Sequence, residues 1–67
     1  MKYYVNKESD KRGDHEVHKE ICFWLPDPNN RIALGECANA HEAVRKAKEY
    51  YSTADGCYHC CPEAHTH

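Results

Sequence analysis

Apolar and polar residues alternate along the first part of the chain, and alternation with a period of two is typical of half-buried β-strands. Residues 2–6 contain two tyrosines and a valine, which favour strands. Between residues 15 and 25 the alternation is clearer, and four side chains form its apolar face: Val17, Ile21, Phe23 and Leu25. We therefore expect two strands here, the second of which extends to Leu25.

A third strand is predicted at residues 31–37, where Ile32 and Leu34 lie on one face. Residues 26–30 precede it and consist of two prolines, an aspartate and two asparagines, all of them common in turns. A proline lacks the backbone N–H that a strand ladder needs, so the second strand should end before this segment. The second and third strands should then form a hairpin.

The clearest local pattern predicts an amphipathic helix that begins after Asn39. Asn39 is a good N-cap, and Glu42 stands three residues later, where its carboxylate can reach back to the backbone N–H of the cap. Apolar side chains then recur at helical spacing and form one face: Ala40, Ala43, Val44, Ala47, Tyr50 and Tyr51. A helix of this kind packs its apolar face against a sheet.

These elements predict an α+β domain, with a three-stranded antiparallel sheet and one C-terminal helix on its face. The order is β-β-β-α over residues 1–56, and residues 57–67 form a Cys/His-rich tail that belongs to the same domain or is partly disordered. The expected core comprises Val5, Val17, Ile21, Phe23, Ile32 and Leu34 from the sheet and Ala43, Val44, Ala47 and Tyr51 from the helix. A core in a chain of 67 residues supplies only about 3–5 kcal/mol of stability, so a bound metal or another cross-link would be important for the stability of the fold.

Charge and composition narrow the classes of function. The formal net charge is −2 and the chain has no basic stripe, which argues against nucleic acid as the main partner. No apolar run is long enough to span a membrane, and the N-terminal residues do not resemble a signal peptide. We therefore expect a cytoplasmic protein, whose five cysteines stay reduced or bind metal.

The tail carries the only strong candidate site. Cys57 and Cys60 form a C-x-x-C pair, His65 follows, and Cys61 adjoins the pair, a set that suits zinc. The candidates for a fourth ligand from elsewhere are His18, Cys22 and His67. Four residues of regular strand would separate His18 and Cys22 by about 13 Å, so we expect both to contribute only if the strand bends or bulges.

The spacing of Cys57, Cys60 and His65 resembles the first three ligands of a zinc knuckle of the retroviral nucleocapsid type. The knuckle's central glycine and its last cysteine are absent. Taken whole, the chain resembles small hypothetical bacterial proteins, on the evidence of residues 14–18, residues 24–26 and the Gly-Cys-Tyr-x-Cys-Cys-Pro sequence of residues 56–62. That resemblance implies one compact domain and no particular activity.

Three functions fit these features. The first is a small binding or interaction module, with a structural zinc in the tail and a protein partner or a second copy at the sheet edge. The second is a nucleic-acid-binding domain that uses the tail and the strand aromatics Tyr3, Tyr4, Phe23 and Trp24. The predicted order of three strands and a helix in this chain also resembles, in outline, the RNA–DNA hybrid-binding domain of some ribonucleases H. The third is thiol redox chemistry or metal handling. The chain has no catalytic motif, so we do not expect an enzyme.

Overall fold

The structure, a computed structural model, describes residues 1–66. Along these residues the chain forms four strands and one helix: β1 (Lys2–Asn6), β2 (His15–Lys19), β3 (Arg31–Glu36), α1 (Ala40–Ala47) and β4 (Ala54–Gly56). Short 3-10 turns occur at Pro28–Asn30 and Pro62–Ala64. The prediction of an α+β fold with a single helix is confirmed for this part of the chain. No helix in it is long and apolar enough to cross a membrane.

The sheet is mixed and has the strand order β3-β1-β2-β4. β1 lies antiparallel to both β2 and β3, whereas β4 lies parallel to β2. The three predicted strands are present and pair antiparallel, but the prediction missed the fourth strand, which is parallel, and was wrong about the hairpin between the second and third strands. β4 was missed because its three residues, Ala54–Gly56, include an aspartate and a glycine, which are poor strand formers, and show no alternation.

β2 is also shorter than predicted, because it ends at Lys19 and not at Leu25. Its neighbour β1 begins at Lys2, whose carbonyl oxygen accepts a hydrogen bond from the backbone N–H of Glu20 at 3.0 Å. Beyond that point no residue of β1 remains to pair with, and the chain turns away. Ile21 and Phe23, two predicted core residues, are consequently exposed, and their placement in the core was wrong.

The rest of the predicted core is confirmed. Val5 and Val17 are fully buried between the sheet and α1, and Leu34 packs with them. The alanines of α1 allow the helix to lie close to the sheet, while three larger side chains are partly buried at the edge of this core: Ile32, Val44 and Tyr51. Tyr3 and the C-terminal residues Cys61 and Ala64 also belong to the core.

The start of α1 follows the predicted capping pattern with one difference. The side chain of Asn39 accepts a hydrogen bond from the backbone N–H of Glu42 at 2.9 Å, as an N-cap does. The Glu42 carboxylate reaches back to the backbone N–H of Ala38, at 2.6 Å, and so contacts the residue before the cap. Both contacts are local in sequence, which is why the position of the helix could be predicted well.

Candidate metal centre

Four side chains from separate parts of the chain meet on one side of the sheet. They are His18, Cys22, Cys57 and Cys60, and one ligand atom of each lies within 4.8 Å of all the others. His18 belongs to β2, Cys22 to the turn after β2, and the other two cysteines to the segment after β4. Three sulfurs and one imidazole nitrogen form a donor set that could hold a metal ion.

Strand pairing brings His18 and Cys57 together. Successive side chains of a strand point to opposite faces, so Val17 enters the core under α1 while His18 is buried on the other face. β4 pairs in parallel with β2 as far as Gly56, which lies opposite Val17. The backbone N–H of Cys57 then donates to the carbonyl oxygen of Val17 at 2.9 Å, and this bond places Cys57 next to His18.

Cys60 returns to the same place through a tight turn. The backbone N–H of Cys61 donates to the carbonyl oxygen of Cys57 at 2.8 Å and closes the turn over residues 57–61. The sulfur of Cys60 then accepts a hydrogen bond from the backbone N–H of Lys19, at an N···S distance of 3.3 Å. The C-x-x-C pair is therefore anchored to the end of β2.

The turn that ends β2 brings in Cys22. The backbone N–H of Cys22 donates to the carbonyl oxygen of Lys19 at 3.0 Å, so the chain reverses within three residues. This turn replaces the separation of about 13 Å expected for a regular strand, and His18 and Cys22 can both contribute. The separation expected for a regular strand does not apply, because β2 ends at Lys19 before Cys22 is reached. The sulfurs of Cys22 and Cys57 lie 4.0 Å apart.

Backbone N–H groups donate to sulfurs of the cluster. Trp24 donates its N–H to the sulfur of Cys22 at 3.4 Å, in addition to the bond from Lys19 to Cys60. Burial raises the pKa of the Cys57 thiol, and the backbone N–H groups of Cys60 and His59 oppose that shift. Burial likewise raises the pKa of Cys22, against the effect of the Trp24 N–H. These donors suit thiolates that a cation holds in place.

His18 has the properties of a ligand whose partner is a cation. The residue is 1% exposed, and its Nδ1 atom has no hydrogen-bond partner among the described residues. Its Nε2 atom lies 3.6 Å from a carboxylate oxygen of Glu16. Burial lowers the pKa of His18 to about 4, so the imidazole is neutral near pH 7 and can donate a lone pair. A buried polar atom without a partner costs about 1–3 kcal/mol, which a metal bond would offset.

The spacing of the sulfurs fits a tetrahedral zinc ion. Zn–S bonds of about 2.3 Å at tetrahedral angles place two sulfurs about 3.8 Å apart. The Cys22–Cys57 distance of 4.0 Å is close to that value, and the limit of 4.8 Å for the whole group leaves room for an ion at its centre.

The other residues proposed from the sequence lie elsewhere. The Nδ1 atom of His65 is 2.9 Å from the carbonyl oxygen of Gly56 and 3.2 Å from a carboxylate oxygen of Asp55. Cys61 is fully buried in the core, although its sulfur lies 3.5 Å from that of Cys60. His67 lies outside the described residues. The structure thus brings Cys57 and Cys60 together with both His18 and Cys22, each of which was a candidate for the fourth ligand.

Comparisons with known proteins found no family model, no curated protein and no solved structure that matches this chain.

Proposed function

We propose that the four-residue cluster is a structural zinc centre and that the protein is a small binding module whose fold depends on that metal. The observation that carries this proposal is the convergence of one imidazole and three thiols, each with a ligand atom within 4.8 Å of the others. The residues come from two distant segments of the sequence, 18–22 and 57–60, so a shared ion would join the sheet to the C-terminal segment.

The size of the chain supports a structural role for the ion. A core in a domain this small supplies only about 3–5 kcal/mol, and natural domains of this size often add a metal. Binding of zinc to a structural site in a peptide is worth about 10–16 kcal/mol near pH 7. Zinc bound here would therefore be the largest single source of stability.

The donor set supports zinc over harder cations. Thiolates and imidazole are soft or borderline ligands, whereas calcium and magnesium take oxygen ligands. Four protein ligands complete a tetrahedral shell and leave no position open for a water or a substrate. This favours a structural over a catalytic centre. We place the bond to the metal at the unpartnered Nδ1 of His18, since Nε2 faces Glu16 and a carboxylate there would orient the ring.

Thiol redox chemistry has less support at the same residues. Reactive thiols have a lowered pKa, commonly at the start of a helix. Here burial raises the pKa of Cys22, Cys57 and Cys61, and the 3-10 turn at Pro62–Ala64 begins after the C-x-x-C pair. Buried thiols that are hard to ionise are poor nucleophiles, but a metal ion can still displace their protons.

Metal analysis tests this proposal directly. Protein purified under reducing conditions without chelators should contain one zinc per chain by mass spectrometry, and EDTA should lower the melting temperature by tens of degrees. Cys57→Ser should abolish zinc binding. The matched control is Cys37→Ser, since Cys37 is buried but lies outside the cluster. Metal-free protein with the same melting curve before and after EDTA would contradict the proposal.

A further inference from the structure

The two loops that carry the zinc ligands also carry large side chains that face solvent. In the loop after β2, Phe23 is 94% exposed and Trp24 is 57% exposed. In the C-x-x-C turn, Tyr58 is 65% exposed and His59 is exposed beside it. We call these four residues the aromatic surface. Large apolar side chains grouped in this way on a small domain mark a binding site.

The rings of the aromatic surface form one continuous row. The ring centroids of Phe23 and Trp24 are 6.0 Å apart, and their planes are nearly perpendicular. Trp24 lies 5.2 Å from His59, a contact that joins the two ligand-bearing loops, and His59 lies 5.4 Å from Tyr58. A ligand in the angle between two perpendicular rings meets one face of each, and the face of an aromatic ring is its negative side.

A groove of about 350 Å³ lies along this row and opens onto the metal cluster. Phe23, Trp24 and His59 are among the residues that line it, and so are Cys22 and Cys60, two ligands of the proposed centre. A zinc ion with three thiolate ligands has one net negative charge. The groove is therefore negatively charged where the two sulfurs line it.

The neighbouring residues of β2 leave that negative charge in place. Lys19 also lines the groove, but its contact with the cluster is made by its backbone N–H, which donates to the sulfur of Cys60 at 3.3 Å. Side chains alternate along β2, so the side chain of Lys19 lies on the face of Val17, opposite His18 and the cluster. On the His18 face, a carboxylate oxygen of Glu16 lies 3.6 Å from Nε2 of His18 and adds negative charge. Aromatic faces beside negative charge are complementary to a cation.

The groove offers negative charge but few free hydrogen-bond acceptors. The described residues that line it include neither Asp nor Glu. The sulfurs of Cys22 and Cys60 already accept hydrogen bonds from the backbone N–H groups of Trp24 and Lys19. A primary ammonium or a guanidinium would lose hydrogen bonds to water here without replacing them. A quaternary ammonium has no N–H group to satisfy, so the groove favours a cation of that class.

The apolar surface continues beyond the groove, which indicates a ligand larger than a small molecule. Tyr58 extends the row of rings but is not among the residues that line the groove. Ile21 is exposed and adds an aliphatic wall to the groove. A trimethylated lysine in a peptide matches this arrangement, because it has a cationic head for the rings, an aliphatic stem for Ile21 and a peptide chain for the surface at Tyr58.

We propose that the aromatic surface binds a trimethylated lysine side chain of a partner peptide, with the ammonium head between Phe23 and Trp24 and beside the sulfurs of the cluster. The proposal rests on the zinc centre described above, because that centre supplies the negative charge and holds both loops. Quaternary ammonium groups bind over the faces of aromatic rings, and tryptophan is the best of these.

Fluorescence measures the binding directly, because Trp24 is the only tryptophan in the chain. Titration of the zinc-loaded protein with a short peptide that contains one trimethyllysine should change the emission in a saturable way. The decisive comparison is the same peptide with the ammonium nitrogen replaced by carbon, since it keeps the shape of the head group and loses its charge. This neutral peptide should bind about 2- to 30-fold more weakly, and the peptide with unmodified lysine should also bind more weakly.

Substitution on the protein tests the position of the head group. Phe23→Ala should weaken binding of the trimethyllysine peptide by about 2- to 30-fold, the equivalent of one contact between a cation and a ring. Tyr50→Ala is the matched control and should bind as the parent protein does, since Tyr50 is also 57% exposed but lies outside the groove.

Zinc content is measured on the same samples, so that the two proposals fail in different ways. Zinc-loaded protein that does not bind the trimethyllysine peptide would overturn this proposal and leave the zinc centre standing. Protein purified without zinc would contradict the zinc centre and, with it, the negative charge of the groove.

The other ligands that the surface could take give results of their own. Equal affinity for the neutral peptide would overturn the role of charge, and equal affinity for the unmodified lysine peptide would overturn the assignment to a quaternary ammonium. Free choline that binds as tightly as the peptide would overturn the assignment to a peptide. Self-association in the ultracentrifuge that Phe23→Ala abolishes would assign the surface to a second copy and overturn the proposal.

Discussion

The sulfurs of Cys22 and Cys57 lie 4.0 Å apart, although the two residues are 35 positions apart in the sequence. Cys22 reaches this place through the turn that ends β2, and Cys57 reaches it as the residue that follows β4. The contact therefore depends on the parallel pairing of β2 with β4. An ion at this point would hold together the strand pair that is least determined by local sequence.

The two adjacent cysteines of the tail should respond differently to substitution. Cys60→Ala removes a sulfur of the cluster, so we expect loss of zinc and a large drop in melting temperature. Cys61→Ala removes a buried thiol that packs in the core, so we expect one zinc per chain and a stability loss of about 1 kcal/mol. Metal analysis and urea unfolding of both variants test this difference. Loss of zinc in Cys61→Ala but not in Cys60→Ala would contradict this assignment, because Cys61 would then be the ligand and Cys60 would not.

His18→Cys tests both the ligand and the atom through which it binds. Zinc sites with four cysteines are common, and a cysteine sulfur extends nearly as far from the backbone as Nδ1 of histidine, helped by the longer Zn–S bond. We expect His18→Cys to keep zinc and His18→Ala to lose it. After cobalt replaces zinc, the sulfur-to-metal charge-transfer absorption of His18→Cys should exceed that of the parent protein. His41→Ala is the control, because His41 is exposed on α1.

If His18 binds the metal through Nε2 and not Nδ1, His18→Cys should give the opposite result. The cysteine sulfur would then be too far from the ion, and the variant would lose zinc just as His18→Ala does.

Local patterns in the sequence were enough to predict α1 and half of the site. Asn39 and Glu42 signal the start of the helix because their hydrogen bonds span only three or four residues. Cys57 and Cys60 signal a metal site because a turn of four residues brings two thiols to one side. Each of these features is specified by neighbouring residues, so a single sequence reveals it.

The rest of the site depends on where other strands end, which neighbouring residues do not specify. The alternation of apolar residues continues past Lys19 to Leu25, but β2 stops where β1 has no more residues to pair with. Because β2 ends there, the chain turns and Cys22 comes back toward His18. β4 has only three residues and no alternation, so its pairing with β2 could not be predicted from pattern either.

His65 should matter for the C-terminal segment without binding the metal. Its Nδ1 contacts the carbonyl oxygen of Gly56 and a carboxylate oxygen of Asp55, and the neighbouring Thr66 donates to Asp55 from both its backbone N–H and its hydroxyl group. We expect His65→Ala to cost about 1–3 kcal/mol, because a buried carboxylate loses a partner, while zinc stays at one per chain. Thermal unfolding and metal analysis measure the two effects. A His65→Ala protein without zinc would contradict this prediction and identify His65 as a ligand.

Gly56→Ala should weaken zinc binding although the residue carries no ligand atom. A Cβ at this position would lie 2.8 Å from the carbonyl oxygen of Cys61 and 2.9 Å from a backbone carbon of Ala64. Both contacts are with backbone, so the C-terminal segment must shift, at a cost of about 1–3 kcal/mol. The shift would move Cys57 and Cys60 away from His18, and competition with a chromogenic chelator should show a zinc affinity at least tenfold lower.

Asn39→Ala provides the control for Gly56→Ala. It removes the cap of α1, at a cost of about 1 kcal/mol, but it lies outside the cluster and should leave the zinc affinity unchanged. Equal zinc affinity in both variants would mean that the close approach at Gly56 does not position the ligands. A lower affinity in Gly56→Ala alone would show that the packing of the C-terminal segment against β4 sets the geometry of the metal centre.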